Sequence, residues 1–162
     1  GKERQDSVYN GILALNEKTD IVLSHDGARP FVKSENIVEG IKGAIEYGAC
    51  VVGVPVKDTI KFVRNSKTID ETPKRDMLWA AQTPQCFKKD ILMEGYIKAI
   101  EDKFIGTDDS SFVERLGVNV KMIMGSYENI KITTPEDLIL AESILKDKNS
   151  IFNRIEFASY NR

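Results

Sequence analysis

Apolar positions along this chain recur at two spacings, and the switches between them mark the elements. Val8, Ile12 and Leu15 lie three and four residues apart, which predicts an amphipathic helix over about 4–16. Ile21-Val22-Leu23 is a short continuous apolar run, the pattern of a buried parallel strand, and it opens into the polar pair His25-Asp26. Ser34 is placed to cap a helix carrying Ile37, Ile41, Ala44 and Ile45. Gly48 marks the turn into a second buried strand, Ala49 to Val56. Asp90 to Ile100 reads as a helix with Leu92, Tyr96 and Ala99 on one side, and Thr107 as the N-cap of another with Val113 and Leu116 inward. Lys121 to Met124 is a strand closed by Gly125. Thr134-Pro135-Glu136-Asp137 gives an N-cap, a proline at the first helical position and an acidic first turn, followed by the stripe Leu138, Ala141, Leu145. Residues 148–162 show no clear period and are taken as a tail after a domain over 1–147.

Residues 57–80 depart from this pattern. Lys61 to Arg64 alternates, Asn65-Ser66-Lys67 reads as a turn, and Thr68 to Thr72 returns. Such a hairpin has little apolar content, and an isolated hairpin is marginal in water, so it is expected to lean on something else. Met77 to Ala81 reads as a strand returning to the core. Strands alternating with helices imply an α/β domain with a mostly parallel sheet. Ligands of such sheets bind beyond the carboxyl ends of the strands, where His25-Asp26 and Val56-Lys57-Asp58 fall.

Composition narrows the classes. The 162 residues suffice for one domain with a core, and a formal net charge of −2 provides no broad basic field for nucleic acid. No apolar run is long enough to span a bilayer. Cys50 and Cys86 lack metal-ligand spacing and are read as buried free thiols, and His25 is the only histidine. Any anion site must therefore come from local placement of arginine and lysine.

Individual motifs admit two readings each. Asp26 after a strand, leading into Gly27-Ala28-Arg29-Pro30, suits a carboxylate holding a divalent cation against phosphates, or equally an Asx-type turn. Arg29 is a candidate phosphate clamp or a surface ion-pair partner, and His25 is expected to be structural. Lys131, between Ile130 and Ile132, projects to one side of an extended segment as a compact charge suited to phosphate, although lysines are common here. Thr59 with Arg75 makes a workable phosphate grip or a merely exposed arm. Ser7 fits helix-start chemistry, as does Thr107, and Thr83 lies in Gln82-Thr83-Pro84-Gln85, where the glutamines tie backbone and Pro84 fixes a bend. Asp108-Asp109 is read as helix-dipole chemistry rather than a metal site.

Taken in order, Glu3 to Val8, His25 to Pro30, Asp58 to Lys61, Gln82 to Gln85, Thr107 to Ser110 and Asn129 to Leu138 resemble the sugar-alcohol-phosphate cytidylyltransferases, and most closely their methylerythritol phosphate branch. The resemblance extends to about residue 146. It implies a Rossmann-like nucleotidyltransferase domain with a protruding β-hairpin arm that joins two copies into a homodimer. It implies that the family's first strand and its Gly/Arg/Lys-rich triphosphate loop belong ahead of Gly1. It assigns Asp26 to the metal, Mg²⁺ or another divalent cation, beside both substrates. Gly1, Ser7 and Gly27 fall to the nucleotide, Lys131 to charge at the α-phosphate, and Arg29, Thr83 and Thr107 to the polyol phosphate. Thr59 and Arg75 would serve the neighbour's substrate across the dimer. The implied reaction joins CTP to a polyol phosphate in the cytoplasm, in non-mevalonate isoprenoid biosynthesis, with neither nucleic acid nor membrane as partner. A ribitol 5-phosphate cytidylyltransferase is the alternative enzyme, and a non-catalytic dimerising nucleotide-binding fragment the alternative of another class.

Overall fold

The computed structural model describes residues 4–64 and 67–159, with side chains described to 147. Gly1, and Asn65-Ser66 of the expected turn, lie outside the described residues. The order is α1 (Arg4–Leu13), β1 (Ile21–Ser24), α2 (Ser34–Tyr47), β2 (Ala49–Pro55), β3 (Phe62–Val63), β4 (Ile69–Glu71), a 3₁₀ turn (Arg75–Met77), β5 (Trp79–Lys88), α3 (Lys89–Glu101), α4 (Asp109–Glu114), β6 (Lys121–Met124) and α5 (Pro135–Ser159). Helix α5 runs on through most of the segment read as a tail. Among the described residues no helix is long and apolar enough to cross a membrane.

The main sheet has the order β1-β5-β2-β6. Strands β1, β2 and β6 point one way, and β5 runs against them between β1 and β2. The mostly parallel sheet is thus correct for strand direction, while β5 makes two of the three ladders antiparallel. Along β2 and β5 successive side chains face opposite layers. Ala49 and Phe87 join the core of Leu92, Tyr96, Phe112 and Val113 under α3 and α4, whereas Cys50 and Cys86 pack beneath α2 with Ala44. Both thiols are free and buried, as expected.

Several expectations need correction. Strand β1 is only half-buried, because among the described residues it pairs on one side alone. Helix α2 packs through Gly40, Gly43 and Ala44, not through Ile41 and Ile45. A Cβ at Gly40 would stand 2.7 Å from Cys86 Sγ, so the glycines let the helix backbone approach the sheet and turn Ile45 outward, 59% exposed. Its first residue is Ser34, preceded by Lys33 with no side-chain cap. It ends as expected at Gly48, whose φ of 87° lets its N–H reach the Ala44 carbonyl at 2.9 Å. On α5, Ala141 is buried but Leu138 and Leu145 are exposed. The Asp137 carboxylate accepts from the backbone N–H groups of Thr133 and Thr134, a carboxylate-based cap for that helix.

The arm is a two-stranded sheet of β3 and β4 with every strand residue exposed. Its root is held more firmly. Val56 N–H donates to Leu78 O at 3.0 Å, Tyr127 Oη donates to Pro55 O at 2.8 Å, and Lys57 Nζ sits 3.7 Å over the Tyr127 ring.

Candidate active site

The site begins with a bulge. Val51 pairs with Gln85 and Gly53 with Ala81, so Gln82-Thr83-Pro84 of β5 stand opposite the single residue Val52. The expected loop at 82–85 is therefore an irregular stretch inside a strand, where Pro84 needs no ladder N–H. The bulge aims Thr83 at the end of β1. Thr83 Oγ1 accepts from Asp26 N–H at 3.0 Å and lies 2.9 Å from His25 Nδ1. His25 Nε2 is 3.1 Å from the Arg29 carbonyl. A carbonyl only accepts, so Nε2 carries the proton and Nδ1 takes the Thr83 hydroxyl hydrogen. The His25 ring is thus hydrogen-bonded on both nitrogens at the strand end.

Asp26 sits at the centre of the charged groups. Its Oδ2 is 3.0 Å from Lys131 Nζ and 3.6 Å from Arg29 Nε, and its Oδ1 is 3.9 Å from Arg4 Nη2. Burial pushes the Asp26 carboxyl up, but the Lys131 hydrogen bond and charge, then Arg4 and Arg29, outweigh it and hold the group below its usual range. Burial likewise lowers Arg29 against the pull of Asp26. Arg29 Nη1 donates to Asn129 O at 2.8 Å.

Arg4 comes from α1 and is anchored from below. Its Nη1 and Nη2 donate to Asp109 Oδ1 and Oδ2 at 2.9 and 3.2 Å, a bidentate fork that raises the guanidinium further. Asp109 is wholly buried and also accepts from Tyr96 Oη at 2.7 Å. Burial first, and then the Asp109 charge, push the Tyr96 phenol up, so it stays a donor. Asp109 is thus a buried ion-pair partner, beyond the helix-end role read from sequence. Asp108, not Thr107, is the N-cap of α4, accepting from Ser111 N–H at 3.0 Å. Gln85 ties that cap to β5, donating to Asp108 Oδ2 at 2.7 Å and accepting from Ser110 N–H at 3.0 Å.

These groups line one open pocket of about 190 Å³ containing Arg4, Asp26, Arg29, Thr83, Thr107 and Lys131. Five of the expected residues are brought together, and Arg4 of α1 joins them. A larger cavity of about 810 Å³ lies at the far ends of β1 and β5, lined by Ile21, Ile45, Lys88 and Met93 among others. We place the site at the smaller pocket, because there the charges converge at the carboxyl end of β1. Ser7 lies in the first turn of α1, exposed, three residues from Arg4. Among the described residues, nothing lies within 4 Å of the position a Gly27 Cβ would take. Thr59 and Arg75 are exposed at the arm, outside the pocket lining, and Arg75 Nη1 donates to Lys57 O at 3.0 Å. Asn129, Arg4 and Asp109 carry much of the geometry without having been singled out for it. The Asn129 signal was its place two residues before Lys131, and Asp109 gave none that separates it from a helix-end acid.

No group of three or more metal-ligating side chains occurs among the described residues. Asp26 offers one carboxylate. That fits Mg²⁺ arriving already bound to phosphates, since this ion takes one or two carboxylates and fills the rest with phosphate oxygen and water.

Fold and site together define a Rossmann-like α/β domain with Arg4, Arg29 and Lys131 gathered around Asp26 beyond the carboxyl end of β1. A family profile described as 2-C-methyl-D-erythritol 4-phosphate cytidylyltransferase matches residues 1–147. The protein of that name from Clostridioides difficile (strain 630) is 59% identical over 145 residues, covering 90% of this chain and 61% of its own length. Its counterpart from Caldanaerobacter subterraneus subsp. tengcongensis is 55% identical over 146 residues, covering 90% and 64%. The crystal structure of 4-diphosphocytidyl-2C-methyl-D-erythritol synthase from Anaerococcus prevotii DSM 20548 matches with a TM-score of 0.85 at 36% identity, over 90% of this chain and 65% of that one. The chain belongs to the 2-C-methyl-D-erythritol 4-phosphate cytidylyltransferase family. It spans 61% to 64% of the length of these two curated relatives.

Proposed function

We propose that the protein carrying this chain transfers the cytidylyl group of CTP to 2-C-methyl-D-erythritol 4-phosphate, releasing pyrophosphate, in the cytoplasm. The observation that carries this reading is the convergence of Lys131, Arg29 and Arg4 on Asp26 in a pocket shared with Thr83 and Thr107. The attacking group is a phosphate oxygen, already an anion, so no strong general base is needed. What opposes reaction is repulsion between two anions, and fixed cations plus in-line placement answer it.

Lys131 and Asp26 neutralise each other as they stand. A nucleotide phosphate drawing Lys131 onto itself leaves the Asp26 carboxylate available to a divalent cation. When bound there, that cation supplies further charge neutralisation on the phosphates. Lys131 then stabilises charge growing at the α-phosphate, while Arg29, Thr83 and Thr107 hold the polyol phosphate. Ser7 and Gly27 border the nucleotide. Thr59 and Arg75 stand away from their own pocket and serve the second copy of a homodimer joined through the arm. The exposed apolar side chains Phe62, Val63, Ile69 and Met77 supply the surface for that contact.

The test is pyrophosphate release from CTP with methylerythritol 4-phosphate and ribitol 5-phosphate in competition. Preference for the first is expected. Preference for ribitol 5-phosphate would move the chain to that related activity. Tight CTP binding without release of pyrophosphate would leave a nucleotide-binding module.

A further inference from the structure

The residues around Asp26 come from segments far apart in sequence, and one side chain outside the pocket lining ties them together. Asn129 is wholly buried. Its carboxamide nitrogen donates to the Thr83 carbonyl at 2.9 Å and to Gln82 Oε1 at 3.3 Å. Its own main-chain carbonyl receives Arg29 Nη1 at 2.8 Å. The Thr83 hydroxyl meets His25 Nδ1, and His25 Nε2 meets the Arg29 carbonyl. The hydrogen bonds therefore close a ring through Asn129, Thr83, His25 and Arg29. From that ring Thr83 Oγ1 also holds the Asp26 N–H. Lys131 follows Asn129 by two residues and takes the Asp26 carboxylate from the other side.

The ring also explains a cost. Among the described residues, Asn129 Oδ1 is buried with no hydrogen-bond partner. A buried acceptor left unpaired destabilises the fold, and an apolar side chain of similar shape would avoid it. What the carboxamide supplies in return is its two N–H donors, both aimed at the β5 bulge.

We propose that Asn129 is a positioning residue of this site, fixing the Thr83 bulge against the segment that carries Lys131 so that Asp26, Arg29 and Lys131 hold one shared geometry. The proposal rests on the nucleotidyl-transfer reading given above. Asn129 touches neither substrate in this scheme. Its loss therefore acts on alignment, which catalysis by positioning feels in turnover more than in ground-state binding.

The experiment compares Asn129→Ala and Asn129→Asp with the parent in the whole protein, measuring kcat, KM for CTP and thermal melting. Both variants lose the donation to the Thr83 carbonyl. A 10- to 100-fold fall in kcat is expected, with KM for CTP within threefold. A merely structural residue would lower the melting temperature and leave the turnover of folded molecules unchanged. Thr83→Val is then added to Asn129→Ala. Because both act through one ring, the double variant is expected to match the slower single variant rather than the product of the two losses. Should Asn129→Ala not fold, Asn129→Leu, which fills the space without either donor, takes its place in every comparison. Folded variants with kcat within twofold of the parent, or losses that multiply, overturn the role of Asn129 and leave the proposed reaction standing. A parent that releases no pyrophosphate overturns the reaction, and the positioning role with it.

Discussion

The pocket floor and the hairpin arm both carry expected site residues and hold them in opposite ways. On the floor, Asp26 and Arg29 follow the end of β1, Thr83 sits on the β5 bulge and Lys131 follows β6, and hydrogen bonds and ion pairs tie them to one another and to buried Asn129. On the arm, Thr59 and Arg75 are exposed, and Arg75 donates to the backbone of the arm's own root. The floor residues are placed by contacts within the core of one chain, whereas the arm residues have little of that support. A polar residue fixed by buried partners is ready for chemistry. One that is merely exposed on a two-stranded ribbon is ready for a partner.

The sharpest way to break the comparison is Asp26→Asn. It keeps the shape but removes the anion that gathers three cations, and turnover should fall by roughly 10²–10³-fold, the scale for losing one preorganised electrostatic group. Pyrophosphate release at saturating CTP and Mg²⁺ measures it, and a rate within about twofold of the parent, under 0.5 kcal/mol in barrier, removes Asp26 from the mechanism.

Arg75→Ala tests the arm. Binding of the polyol phosphate should weaken by about 2 kcal/mol, the lower end for losing a charged partner at an interface, with CTP binding nearly intact. Mixing Arg75→Ala with Asp26→Asn subunits should restore one working site per mixed dimer. If verified heterodimers stay inactive, Arg75 does not act across an interface.

A pH series separates the two regions by stability. The Asp26 carboxyl is held below its ordinary value of 3.8, so its contribution is complete above that value and fades as pH falls through the depressed one. Thermal melts of parent and Asp26→Asn should differ near neutrality and converge in acid. The gap is modest, because the Lys131 side chain is 44% exposed and solvent screens the pair. A gap that widens in acid contradicts the charge arrangement around Asp26.

The smallest effect belongs to the arm surface. Phe62→Ser, at a position 54% exposed, should change the stability of an isolated chain by no more than about 0.5 kcal/mol. The same change in a dimer joined through the arm should weaken association. Denaturation and sedimentation of the same samples tell these apart, and an unchanged association constant would take Phe62 out of the interface.

The element order was legible because apolar spacing reports burial, and Leu92, Tyr96 and Ala99 are buried where the period put them. It misled where packing used no side chain. On α2 the isoleucines look like the inner face, but two glycines bring the backbone itself to the sheet. The candidate site was legible as a set of motifs, and five of its residues do meet at one pocket. The contacts that hold them were not, because Arg4 with Asp109 and Asn129 with Thr83 join residues 105 and 46 positions apart. No local period records such pairs. Direction was hidden as well, since β5 reads like any other strand and only the pairing shows it running against its neighbours.

The bulge in β5 has a consequence for how this sequence can change. Four steps along β5, from Ala81 to Gln85, match two steps along β2, from Val51 to Gly53. Both counts are even, so the strand leaves the bulge with its faces in phase. Deleting one residue there would exchange every later face, sending Cys86 towards α3 and Phe87 towards α2. Deleting two would keep the phase but flatten the projection that brings Thr83 to Asp26. Substitutions at 82–84 can be graded by what each side chain touches, but insertions and deletions cannot. At this point the spacing of the chain is under tighter constraint than its letters.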